Sequence, residues 1–159
     1  MKNIALFFLP FLGLACESPS GSVADSPVPE AIVYDSLLAG QLGADDYGMK
    51  TYIMAFLQSG PVRSQDSLEA ATIQRAHLDY INKLAAAKKL VLAGPFLDEG
   101  NNRGIFIFDV ATIEEARALT EKDPAVQSGR LAMDLHPWYG SAAIVLINDW
   151  SQKIEKRRH

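Results

Sequence analysis

Apolar residues recur every three or four positions along the middle of the chain. Ala70, Ile73, His77, Tyr80, Ile81, Leu84 and Lys88 fall on one face of a helix predicted to open at Ser67 and to end near Lys88-Lys89. Two cations at that end suit the negative pole of the helix dipole. Leu90 to Phe96 (Leu-Val-Leu-Ala-Gly-Pro-Phe) follows as a buried strand. His77 lies in the centre of the apolar stripe, and an imidazole there marks a candidate site without naming a reaction.

The same reading extends to both sides. Tyr47 to Leu57 is a first strand, ended by Ser59-Gly60-Pro61 and followed by a polar loop over Val62 to Asp66. Asp98 to Asn102 is a turn rich in residues that tolerate positive φ, and Gly104 to Val110 is a third strand that closes a hairpin with the second. Thr112-Ile-Glu-Glu115 is a capping box that opens a second helix with Ile113, Ala116, Leu119 and Thr120 on its inner face. Asp123-Pro124 ends that helix and starts a short helical turn to Ser128, closed by Gly129. Leu131 to Trp138 is a fourth strand interrupted late by Pro137; Tyr139-Gly140-Ser141 is a turn, and Ala142 to Ile147 a last short strand.

Strand, helix, strand, strand, helix, strand makes an α+β domain, an antiparallel sheet with both helices on one face. Met49, Tyr52, Phe56, Ile105, Phe106 and Phe108 offer more apolar surface than two helices hide. Pairing of two sheets face to face in a homodimer is the expected remedy.

The N-terminus has a different pattern. Lys2 precedes an apolar run, Ile4 to Leu14, too short to span a bilayer as a helix. Ala15 then stands directly before Cys16, the one cysteine, so no internal disulfide is possible. Residues 1–16 thus resemble a bacterial lipoprotein signal, with Cys16 as the lipidated residue, although Gly13 stands where leucine is usual and Pro10 interrupts the run. An ordinary cleaved signal peptide and an N-terminal membrane helix remain open. Residues 17–43 are expected to be a Ser/Pro-rich tether ending in a short helix broken by Gly40 and Gly43. The domain proper is read over residues 44–148 and a basic tail over 149–159, with its cluster at Lys153 to His159. The expected location is outside the cytoplasm, lipid-anchored on the periplasmic side of a bacterial envelope, with the membrane touched only through Cys16.

Composition adds two limits. The 159 residues, 48% hydrophobic, suffice for one domain with a real core plus terminal extensions. The net charge of −4 disfavours nucleic-acid binding.

Arg75-Ala-His77-Leu, Gly94-Pro95, Asp123-Pro124 and His136-Pro137-Trp138 together resemble the YCII-related family over roughly residues 44–147. Ala44-Asp-Asp-Tyr-Gly-Met49 and Phe56-Leu-Gln-Ser-Gly-Pro61 resemble one branch of it. The resemblance implies a ferredoxin-like fold, a dimeric α/β barrel, and a His-Asp dyad falling on His77 and Asp123 in a pocket between sheet and helices. Relatives include a dehydrochlorinase acting on a chlorinated aromatic, and the wider fold includes muconolactone isomerases.

The dyad that the resemblance implies is suited to proton-transfer chemistry. The ordinary pKa of histidine lies close to working pH, and a carboxylate on one ring nitrogen would orient the other as a general base. Against this, His77 could be a core histidine satisfied by a backbone carbonyl, and Asp123 a helix cap only. Arg75 is read as a pocket residue able to contact an anion across the dimer, or as a surface residue. Gly94 and Pro95 are read as pocket wall, and Trp138 as pocket or dimer wall. No spacing of His or Cys suggests a metal site, and no cofactor is expected. There is no Gly-rich phosphate loop and no Gly-x-Ser-x-Gly, and Cys16 lies outside the domain. The expected function is isomerisation or elimination on a small organic acid or phenol. The competing expectation is a non-catalytic small-molecule-binding or assembly module of the envelope.

Overall fold

The computed structural model describes residues 33–157. The signal segment, Cys16 and most of the tether lie outside these residues. The unit that holds the folded elements begins at Tyr34, before Ala44. Its elements run α1 (Ser36–Leu42), β1 (Met49–Ser59), α2 (Ser67–Ala86), β2 (Leu90–Pro95), β3 (Asn102–Phe108), α3 (Ile113–Thr120), α4 (Pro124–Gln127), β4 (Leu131–Ser141), a 3-10 helix (Ala142–Leu146) and α5 (Ile147–Ile154). Among the described residues no helix is long and apolar enough to cross a membrane.

The sheet has four antiparallel strands in the order β2-β3-β1-β4. That order, with α2 and α3 as crossovers, is the ferredoxin-like arrangement, and it is α+β as the element sequence predicts. Alternation along the strands sorts side chains to two faces. Ile53, Ala55 and Leu57 of β1 and Phe106 and Phe108 of β3 form the buried core beneath the helices, with Leu84 of α2 and Ala116 of α3 packed onto them. Phe106 and Phe108 are therefore covered by the chain's own helices and add nothing to an outer apolar surface.

The opposite face is partly covered from within the chain. Residues Ala142–Ile147 are not a strand: a 3-10 helix and α5 fold back, and Ile144 and Val145 pack on Tyr52, Val91 and Ile107. Asn148 fastens this return by donating from Nδ2 to the Leu90 carbonyl at 2.8 Å. The helix α5 also takes up residues assigned to a basic tail. Beyond this cover, Met54, Phe56 and Ile105 stay half-buried and His136 is exposed.

Pro137 does not interrupt β4, and residues 139–141 are strand, not turn. β4 is an edge strand, where alternate N–H groups face away from the sheet, so a missing donor is tolerated. Gly40 does not break α1 either. That helix ends at Gly43, whose φ of 68° supplies the left-handed cap. The predicted capping box is half formed. Thr112 Oγ1 accepts from Glu115 N at 3.1 Å, but the Glu115 carboxylate takes Ala111 N and Lys89 Nζ instead of reaching back to Thr112.

Candidate functional site

The centre of α2 faces the sheet, so the stripe position of His77 becomes a buried position over Phe106. The His77 ring lies nearly parallel to the Phe106 ring, 20° apart at a centroid distance of 5.9 Å. Asp123 arrives from the other side, as the N-cap of α4. His77 is 5% exposed and Asp123 1%.

The two side chains meet closely. His77 Nδ1 lies 2.9 Å from Asp123 Oδ1 and 2.8 Å from Oδ2. A carboxylate only accepts, so Nδ1 carries the proton and donates. Asp123 Oδ1 also accepts from Ala125 N at 2.8 Å, so the carboxylate caps α4 and holds the imidazole at once. A phenol nearby feels the same charge. Tyr80, whose hydroxyl donates to the Leu119 carbonyl at 2.9 Å, has its pKa raised by burial first and by the negative charge of Asp123 second.

With Nδ1 engaged, Nε2 is the free nitrogen. Among the described residues no protein group bonds it, and no buried side-chain nitrogen or oxygen lacks a partner, so Nε2 is not sealed from solvent. It belongs to a residue that lines a cavity of about 610 Å³ between α2, the C-terminal end of β2 and the N-terminal ends of β3 and β4. Leu57, Ile81, Phe106 and Leu131 provide apolar wall, and Gly94 and Pro95 line it as well.

Two expected pocket residues are elsewhere. Arg75 is exposed and does not line this cavity, because two residues along a helix from His77 is a different side. Trp138 lies across the sheet. On β4, Leu131, Met133 and Leu135 pack toward the helices, so residues 134, 136 and 138 face the opposite way, and Trp138 packs 5.9 Å from the Tyr52 ring. His136 shares that face, 3.1 Å from Asp134, so it does not converge with His77. Among the described residues no three His, Cys, Asp or Glu side chains form a cluster able to hold a metal ion.

Three residues that sequence reasoning passed over do line the cavity: Arg63, Arg103 and Arg130. They stand at chain positions 63, 103 and 130, yet β1 ends where β3 and β4 begin, so the antiparallel order gathers them at one end of the sheet. The signal available in the sequence was an arginine near each of three strand ends that this topology superposes.

Comparisons with known proteins identify the family of the domain. Residues 54–138 match the YCII-related domain. An uncharacterised Bacillus subtilis protein, YjpA, is 31% identical over 62 residues, which cover 39% of this chain and 71% of that protein. A solved structure of 5-chloro-2-hydroxyhydroquinone dehydrochlorinase from Burkholderia phenoliruptrix, in complex with 2,5-dihydroxybenzoquinone, is 21% identical; the match covers 54% of this chain and 92% of that one at a TM-score of 0.42. With its domain matched over more than half of its length, the chain belongs to the YCII-related family.

Proposed function

We propose that this domain catalyses proton transfer, as isomerisation or elimination, on a small organic molecule held in the cavity beside His77. Nε2 of His77 is the general base. Asp123 is a positioning residue that fixes the Nδ1–H tautomer and stabilises the imidazolium formed when Nε2 takes a proton. The observation that carries this reading is the asymmetry of the imidazole: one nitrogen is held by a buried carboxylate, and the other has no protein partner among the described residues, on a residue that lines a cavity. A core histidine would have both nitrogens satisfied inside the protein.

Proton abstraction from carbon can be read without knowing the product. Small organic acids and phenols incubated with the protein in D2O exchange the abstracted hydrogen for deuterium, visible by NMR. Exchange is expected with the wild type, to be lost in His77→Gln, and to fall at least about a hundredfold in Asp123→Asn. Exchange that His77→Gln leaves undiminished would contradict the assignment and leave a non-catalytic binding module as the better reading.

The proposal includes a setting. Phe56, Ile105 and Met54 on the half of the sheet not covered by α5 support a homodimer formed through that face. The apolar run before Cys16 supports export and lipid anchoring at that residue on the periplasmic side of the envelope. Mass spectrometry of the mature N-terminus in a bacterial host tests the latter: a diacylglyceryl group on Cys16 supports it, and an unmodified N-terminus contradicts it.

A further inference from the structure

We infer that Arg63, Arg103 and Arg130 form an anion-binding subsite, and that the cavity takes small organic oxyanions with an apolar body. This rests on the proposed reading of the cavity as the reaction site and names its substrate class.

Three observations carry the inference. First, among the described residues the cavity is lined by three arginines and by no Asp or Glu, in a chain whose net charge is −4. Second, among the described residues the arginines pair with no carboxylate. Among the described residues the ion pairs are Lys50–Asp109, His77–Asp123, Lys89–Glu115 and His136–Asp134, none of which uses them. Their hydrogen bonds go to neutral groups: Arg63 to Ser59 Oγ at 3.0 Å and the Arg130 carbonyl at 3.4 Å, Arg103 to the Gly100 carbonyl at 3.3 Å, and Arg130 to Gln65 Oε1 at 3.3 Å. A guanidinium has five donors, so each retains free N–H groups. Third, the scaffold beneath them is tied together. Ser59 N donates to the Asn101 carbonyl and Gly60 N to the Arg130 carbonyl, both at 2.9 Å, which ties the end of β1 to the residue before β3 and to Arg130 itself.

Guanidinium forks match carboxylates and phosphates, and clustered cations raise the local concentration of anions. The same cavity also has apolar lining, with Leu57, Phe106 and Leu131. One cavity thus provides a charged end for an acid group, an apolar wall for a hydrocarbon body and His77 as the base. The arginines are specificity residues: they select and orient the anion, and no bond to carbon changes at them.

Titration of the full chain with benzoate, phenyl phosphate and benzamide, followed by NMR, tests this. Benzoate or phenyl phosphate is expected to saturate and to shift the His77 and Phe106 resonances, at least roughly tenfold more tightly than uncharged benzamide. Arg63→Gln with Arg103→Gln and Arg130→Gln is expected to erase that preference while benzamide binding and the thermal transition stay unchanged. His77→Gln is expected to keep it, which separates failure of the subsite from failure of the base. Equal binding of acid and amide, absence of saturable binding by either anion, or a preference that survives the triple substitution would overturn the inference. If the two anions differ, the tighter one identifies the acid group.

Discussion

Asp123 holds His77 and caps its own helix with the same carboxylate: Oδ1 lies 2.9 Å from His77 Nδ1 and 2.8 Å from Ala125 N. Local and long-range structure are therefore locked together. The cap fixes the carboxylate at the start of α4, and the carboxylate fixes a ring on α2, 46 residues away in sequence. One consequence is that the site resists reorientation: rotating Asp123 away from His77 would also unmake a helix end.

Removing that carboxylate should be costly. Asp123→Ala strips a buried donor of its partner and deletes a cap, so we expect a loss of roughly 3 kcal/mol or more. Asp123→Asn, which retains an acceptor oxygen, should lose less. Urea denaturation followed by far-UV circular dichroism gives both values; equal stability of Asp123→Ala and wild type would contradict the linkage.

Gly60 should tolerate no side chain. A Cβ built there would collide with the Gly129 carbonyl oxygen, a backbone atom that cannot swing aside. Gly60→Ala is expected to destabilise the fold by about 1–3 kcal/mol, as overpacking does. It should also displace Arg130, whose carbonyl accepts from Gly60 N. A chemical-shift map would show changes centred on residues 59–63 and 128–131; an unperturbed, fully stable variant would refute the contact.

Alkaline stability should depend on Tyr52. This phenol is fully buried and donates to the Ser141 carbonyl at 3.0 Å, and burial, with the charge of Asp109 second, pushes its pKa from 10.0 to about 12. A group whose pKa is raised by folding contributes stability that is whole below the unfolded value and is lost as pH rises toward the folded one. The wild type should thus lose on the order of 3 kcal/mol between about pH 10 and 12. Tyr52→Phe should be less stable at neutral pH and flatter across that window in denaturant titrations; parallel curves for the two proteins would contradict the assignment.

The proposed homodimer should form through the uncovered half of the sheet. Phe56 stands there half-buried, with its ring edge-on to His136 at 5.8 Å. Phe56→Glu is expected to yield a folded monomer in sedimentation velocity, since a charge facing a second apolar sheet face is costly while facing water it is not. A wild type that sediments as a monomer would refute this arrangement.

Much of the fold was legible in the sequence because its periods are clean. The three-to-four spacing from Ile73 to Leu84 gives α2, and Asp123-Pro124 gives α4 with its cap. The C-terminus was not legible for two physical reasons. A short apolar run such as Ala142–Ile147 fits a strand or a helix equally well. The effect of Pro137 depends on whether its strand lies at a sheet edge, which strand order decides. The site divides in the same way. His77 was visible as a polar ring in an apolar stripe, whereas its pairing with Asp123 came only with the family resemblance. Arg63, Arg103 and Arg130 were invisible as a group, because no local pattern links them. Pocket wall and dimer wall could not be told apart for Trp138, because alternation along β4 had to be anchored to a face before parity could assign it.

The role of His77 is tested at its source by the tautomer of its ring, read from two-bond nitrogen–proton correlations in 15N-labelled protein at a pH where the ring is neutral. A single Nδ1–H tautomer with Nε2 unprotonated is expected, giving way to a mixture in Asp123→Asn. An Nε2–H tautomer in the wild type, or a spectrum indifferent to Asp123→Asn, would contradict the assignment of Nε2 as the base and of Asp123 as the group that positions it.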